Sequence, residues 1–220
     1  MLREINLSFT KAGAARYTNQ LHWENLFIGE LFLYYLGKIK TGDCQKIIID
    51  AVDRVEREID DYEDAHSINL VVYFIQFDFD KYDSLDRNER KKYLAAFLYH
   101  GLLKVFAYKH WDPSPLEAAY NQVIDSDVVF RKILKERIRD PRDKSRVFQM
   151  LIEWESGLLE CSILLLDAKS GIEIKRKKVF TIKSTSYMRS WKLSISKEKD
   201  ILILSSTRTF EKFETSAVLD

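Results

Sequence analysis

The chain has 220 residues, of which 46% are apolar, 13% aromatic and 31% charged, with 7 Gly, 3 Pro and a net charge of +1. That composition excludes a disordered or fibrous chain, leaves little length for linkers, and needs no disulfide or structural metal, because a domain of this size buries roughly 70% of its unfolded surface. The near-neutral total hides a split: residues 41–90 hold 6 Lys/Arg against 14 Asp/Glu, whereas residues 131–220 hold 20 against 13.

In chain order, the alternating stretch REINLSF predicts a first strand. From Gln20 to Leu36 nearly every position is apolar or aromatic, which predicts a buried helix stopped at Gly37. Ile47, Ile48, Ala51, Val52, Val55, Ile59 and Tyr62 recur at helical spacing and Asp50, Asp53, Glu56, Arg57, Asp60 and Asp61 take the other face, so a second helix is expected there. INLVVYFIQFDFD is rich in β-branched and aromatic residues and predicts a strand buried on both faces. Leu94, Phe97, Leu98, Gly101, Leu102, Val105 and Phe106 mark a long helix. SPLE (114–117) predicts a helix start, with Ser114 as cap, Pro115 in the first turn and Glu117 closing a capping box. That helix is expected to reach Ile124, with a further set of turns from Ser126 to Ile138 before a stop at Asp140-Pro141.

The period then changes from helical to twofold. VFQMLIEW, LLECSILLLD, GIEIKRKKVFTI, SWKLSIS and ILILSST are short apolar or alternating runs separated by turn residues. The first of them, 147–154, fits both a strand and a helix. The expected fold class is α+β: an N-terminal mainly helical part with one or two strands, followed by a C-terminal antiparallel β-meander. The expected organisation is a single domain over 1–220, with residues 1–140 mainly helical and 141–220 β-rich.

The stretch FIQFDFDKYDSLDRNE (74–89) concentrates carboxylates. As a calcium loop beginning at Asp78 it lacks the glycine at position 6, where Asp83 stands, and a strand precedes it. As a helix start it makes sense: Asp86 and Glu89 have capping-box spacing, and acidic residues complement a helix N-terminus. Asp78 and Asp80 are expected on one side of a fraying strand end.

Chemistry-bearing patterns are sparse. His22, His100 and His110 and His66 form no zinc-type cluster, and there is no nucleophile elbow, phosphate loop or dinucleotide fingerprint. No catalytic residue, no metal site and no cofactor is expected, although a dispersed site using His22, Tyr99 and His100 is an enzyme alternative. Cys44 and Cys161 lie far apart and read as reduced thiols of a cytoplasmic protein. The N-terminal residues carry no signal-peptide pattern, and the most apolar run, LFIGELFLYYLG, is too short to span a bilayer and contains Glu30.

Residues 93–124, YLAAFLYHGLLKVFAYKHWDPSPLEAAYNQVI, followed by a β-rich tail, resemble small uncharacterised bacterial proteins, some of which are immunity partners of secreted toxins. The likeness rests on HGLL, WD and LEAAY. It implies a cytoplasmic inhibitor that binds a protein partner, such as a basic toxin domain, and it implies no catalytic residue.

The expected function is therefore protein binding through an acidic surface formed by Asp60, Asp61, Glu63, Asp64, Asp80 and Asp83, with Tyr82 or Trp111 as aromatic anchor. The alternative is a nucleic-acid-binding module that uses Lys175, Arg176, Lys177, Lys178, Lys183 and Lys192. Nucleic acid is the less expected partner, because the aromatics of those strands share the parity of the inward apolar residues and lysines also protect strand edges.

Overall fold

The computed structural model describes residues 1–10, 20–52, 62–65, 69–155, 158–183, 191–195, 201–206 and 212–216. It divides into two compact units, Met1–Val129 and Phe130–Asp220. Helices and strands are mixed in the chain, as an α+β class requires. The N-terminal unit differs from expectation in holding a four-stranded, mostly parallel sheet.

In the first unit β1 (Glu4–Thr10) is followed by α1 (Gln20–Leu36), β2 (Lys46–Val52), β3 (Tyr62–Ala65) and β4 (Leu70–Gln76). The helices α2 (Phe79–Ser84), α3 (Arg87–Tyr108) and α4 (Ser114–Asp125) complete it. The strand order is β1-β2-β4-β3, with β1, β2 and β4 parallel and β3 antiparallel to β4. The helix expected from Ile47 is thus corrected: its first part is the strand β2, Tyr62 opens the strand β3, and residues 53–61 lie outside the described residues. Ile47, Ile49 and Ala51 are fully buried on one face while Ile48 and Val52 are half-buried on the other. A parallel strand buried on both faces reads as a continuous apolar run, which also satisfies a helical template over seven residues.

Helix α1 has buried residues on successive positions, Phe27, Ile28, Leu31, Phe32, Leu33 and Leu36, and packs on β1, α3 and α4. Its Gly29 rests on the backbone of β1, where an added Cβ would lie 2.1 Å from the Ile5 carbonyl oxygen. The turn after α1 closes at Gly37, whose φ of 65° needs no side-chain accommodation.

Helix α3 starts at a complete capping box. The Asp86 carboxylate accepts from the Asn88 and Glu89 N–H groups, each at 2.8 Å, and Glu89 Oε2 accepts from the Asp86 N–H at 2.9 Å. Helix α3 ends in a Schellman arrangement. His110, at φ 55°, donates its N–H to Ala107, and the Trp111 N–H reaches the Phe106 carbonyl at 2.9 Å. The end of α4 repeats it: the Asp127 N–H donates to Ile124 and the Val128 N–H to Val123, with Asp127 and Val128 both at positive φ.

The start of α4 differs from expectation. Pro113 occupies the cap position without a side-chain bond, and Ser114 lies inside the helix. Asp112 takes over the cap: its Oδ1 accepts from the Ser114 N–H at 3.0 Å and from the Ser114 hydroxyl at 2.8 Å.

The second unit contains β5 (Phe130–Ile133), β6 (Ile138–Arg139), β7 (Arg146–Glu155), β8 (Leu158–Asp167) and β9 (Glu173–Lys183) in one antiparallel sheet. Its order is β5-β7-β8-β9, with β6 paired beside β7. The strands β10 (Trp191–Ile195), β11 (Ile201–Ser206) and β12 (Lys212–Ser216) form a separate antiparallel sheet. The meander order β7-β8-β9 is as expected, and the ambiguous stretch 147–154 belongs to strand β7. The turns expected over 126–138 contain the strand β5, because Phe130 and Lys132 pair with Trp154 and Ile152. Two register shifts between β8 and β9 break the simple alternation. Hence Phe180 is buried, whereas Ile172 and Ile174, of the same parity, are exposed.

Candidate interaction surfaces

The acidic segment is organised around a buried aromatic knot. Phe77, at the end of β4, contacts Phe9, Phe79, Tyr82, Tyr93 and Phe97 with ring centroids 4.8–5.8 Å apart. The chain then turns into α2 because the Asp78 carboxylate caps the Lys81 N–H at 2.8 Å. This corrects the strand-end expectation: Phe79 and Tyr82 point inward at helical spacing, and Asp80 and Asp83 are exposed on α2. Arg90 locks the element from α3, donating to the Tyr82 carbonyl at 3.0 Å and the Asp83 carbonyl at 2.8 Å, with its guanidinium 5.1 Å from the Tyr82 ring centroid.

Tyr82 is only 2% exposed, so it serves as a core residue and offers no anchor to a partner. Trp111 is half-buried, packing edge-on to Phe106 at 5.3 Å as the apolar contact of the Schellman arrangement. Glu63 and Asp64 lie on β3 opposite Val72 and Val71, towards the start of β4 and away from the end that leads into α2. The register therefore does not bring them beside Asp80 and Asp83. Asp60 and Asp61 lie outside the described residues. Residues 78–92 hold 5 Asp/Glu and 5 Lys/Arg, and Asp78, Asp86 and Glu89 are occupied as caps. Asp80 and Asp83 are the exposed carboxylates that α2 carries.

The cations of β9 are largely compensated. Glu153 and Glu160 stand opposite each other in the β7–β8 register, a like-charge pairing that needs neighbouring cations. Arg131 of β5 pairs with Glu153 at 3.0 Å, Arg176 bridges Glu173 at 3.0 Å and Glu153 at 3.5 Å, and Lys178 bonds to Glu160. The surrounding carboxylates hold the Arg176 guanidinium above its ordinary pKa, Glu173 first. Arg176 and Lys178 thus complete an ion-pair lattice. Lys175 is exposed and Lys177 half-buried on the same strand, while the side chains of Lys183 and Lys192 lie outside the described residues.

A denser run of uncompensated cations lies in the segment that leads from β5 into β7. Residues 131–146, RKILKERIRDPRDKSR, hold 8 Lys/Arg against 3 Asp/Glu. Lys135, Arg137, Arg139 and Lys144 are exposed and have no ion-pair partner among the described residues. Two of the three acids are engaged locally. Asp140 is buried and its Oδ1 accepts from the Arg142 N–H at 3.0 Å. Asp143 accepts from the Ser145 hydroxyl at 2.6 Å and N–H at 2.9 Å and pairs with Arg146 at 3.0 Å. The signal was present in the charge count, but the segment has no apolar periodicity to mark it as an element.

A polar stripe crosses the parallel strands of the first unit. Ser8 donates to Asp50 Oδ1 at 2.7 Å, and Glu4 Oε1 receives Asn6 Nδ2 at 2.8 Å and Lys46 Nζ at 2.9 Å. Burial raises the Glu4 pKa, but the bonds from Lys46 and Asn6 outweigh it and hold the carboxyl below its ordinary value. Asp50, expected on an exposed helix face, is 8% exposed in the strand.

The residues of the enzyme alternative are placed in part. Tyr99 stacks on Tyr120 at 4.2 Å and 8°, burial and then Glu117 raise its phenol pKa, and His100 beside it is exposed. The His22 side chain is outside the described residues. Cys44 and Cys161 are free and buried. Among the described residues no three or more His, Cys, Asp or Glu gather to hold a metal ion, and no helix is long and apolar enough to cross a membrane. Comparison of the chain with protein-family models, curated proteins and solved structures yields no match.

Proposed function

We propose that the protein acts by binding rather than by catalysis, as a cytoplasmic inhibitor that covers a basic protein partner in the manner of a bacterial immunity protein. The observation that carries this reading is the rigid display of Asp80 and Asp83 on α2. The helix is capped by Asp78, anchored through Phe79 and Tyr82 and tied to α3 by Arg90, so the backbone that carries both carboxylates is in place before any partner arrives. Preorganised charge favours fast association and costs little ordering entropy on binding. Residues 93–124 resemble small uncharacterised bacterial proteins, some of which look like immunity partners of toxins, which agrees with this class of partner, and two buried free thiols support a reducing compartment.

The test is capture from source-cell lysate on immobilised protein, with salt-gradient elution, repeated with Asp80→Lys/Asp83→Lys. A single stoichiometric basic partner held by the parent, and bound roughly tenfold more slowly by the variant, is the expected result. Capture of that partner at an unchanged rate by the variant would remove α2 as the docking element.

A further inference from the structure

We infer that the edge of the second unit formed by β5, β6 and the turn into β7 is a docking surface for duplex nucleic acid, engaged through its phosphates without regard to sequence. Its cations stand where a partner can reach them: Lys135, Arg137, Arg139 and Lys144 are exposed and lack an ion-pair partner among the described residues. Of the three acids interspersed with them, Glu136 is exposed between Lys135 and Arg137, and the other two are engaged within the segment. Asp140 is buried and bonded to the backbone, and Asp143 is spent on the Ser145 turn and on Arg146.

The spacing suits a backbone. Lys135, Arg137 and Arg139 occupy every second position, and even a fully extended chain carries the outer two no more than about 14 Å apart. Along about 14 Å of duplex axis one strand presents roughly four phosphates, so the segment is short enough for its three cations to reach neighbouring phosphates of one strand. The pairing of Ile138 and Arg139 with Phe148 and Val147 ties the backbone at Arg139 to β7.

The same sheet argues against a single strand as the ligand. Single-strand platforms stack bases on exposed aromatic rings. Here Phe130, Phe148, Trp154 and Phe180 are all buried, and the exposed apolar residues of the sheet are aliphatic: Ile133, Leu158, Ile172 and Ile174. Charge without stacking surface reads the duplex backbone.

The test uses the full chain and a labelled mixed-sequence DNA duplex, followed by fluorescence anisotropy as salt rises from about 50 to about 200 mM. Each phosphate contact contributes about 0.9 to the slope of log affinity against log salt, so Arg137→Gln/Arg139→Gln/Lys144→Gln should flatten that slope by roughly 2 to 3. Circular dichroism checks that the variant keeps its secondary structure. Lys38→Gln/Lys40→Gln, exposed cations of the first unit, should leave the slope unchanged. So should Asp80→Lys/Asp83→Lys, which separates this surface from the proposed protein-docking helix. No binding at low salt, an unchanged slope in the triple variant, tighter binding of the matching single strand, or displacement by polyglutamate as readily as by duplex would each overturn the inference.

Discussion

A Cβ placed on Gly101 of α3 would lie 2.7 Å from Cγ2 of Ile49 on β2. Helix α3 can therefore lie against the parallel strands only because position 101 carries no side chain. Gly101→Ala should cost about 1–3 kcal/mol by overpacking. Ile49→Ala should cost about 2–5 kcal/mol through the cavity it leaves. Because one change fills the space the other vacates, the double variant should be less destabilised than the sum by about 0.5–3 kcal/mol. Urea unfolding of the four proteins measures this, and strict additivity would mean that the two residues do not share the contact.

Gly29 provides the contrast. The obstacle to its Cβ is the Ile5 carbonyl oxygen, at 2.1 Å, and backbone cannot be trimmed. Gly29→Ala should therefore cost about 3 kcal/mol or more, and Ile5→Ala should not rescue it. Restoration by Ile5→Ala in the same unfolding assay would show that the side chain, not the strand backbone, sets the approach of α1.

The helix ends supply a stabilising change. His110 holds a left-handed φ of 55° at the end of α3, a conformation that costs an L-residue roughly 1–2 kcal/mol. Glycine adopts it freely but loses more entropy on folding, so His110→Gly should stabilise by about 0.5 kcal/mol. The Trp111 contact with Phe106 is kept. A lower midpoint of urea unfolding would mean that the imidazole makes a compensating interaction.

Alkaline pH should act through Cys161. Burial pushes its thiol from 9.0 to about 12, so the fold prefers the protonated form. A group whose folded pKa is raised contributes stability that is complete below the unfolded value and is lost as pH rises from about 9 to about 12. Across that window the loss amounts to roughly 4 kcal/mol. Cys161→Val should flatten the alkaline limb of a stability–pH curve relative to the parent. In the native parent at pH 8, alkylation of Cys161 should be no faster than unfolding.

Acid acts at the turns. The Asp167 carboxylate accepts from the Ser170 N–H at 2.7 Å and the Ser170 hydroxyl at 2.8 Å, which hold it below its ordinary value of 3.8. A depressed folded pKa gives stability that is present above 3.8 and is lost as pH falls through the folded value. Carbon-detected titration should place the Asp167 midpoint below 3.8, and Ser170→Ala should move it upward. An unmoved midpoint would show that the hydroxyl contributes nothing to the turn.

Local chemistry was legible in the sequence wherever its cause lies within a few residues. The Asp86–Glu89 capping box, the stop at Gly37, the buried character of α1 and the β7-β8-β9 meander all follow from spacing that a short segment carries by itself. The start of α4 was placed to within a residue, but its cap was misassigned because the Ser114 hydroxyl is turned back to donate to Asp112.

What tertiary structure decided are the features that depend on partners distant in sequence. KIIIDAV is a strand because β1 and β4 flank it on both sides and Gly101 lets α3 lie over it; in isolation the run fits either period. Asp50 is buried because the register sets Ser8 opposite it, 42 residues away. Charge behaves in the same way. A count along the chain cannot tell Arg176, held by Glu173 on its own strand and by Glu153 across the sheet, from Arg137, which has no ion-pair partner among the described residues. Only the pairing of strands assigns each charge its neighbours, and with them its availability to a partner.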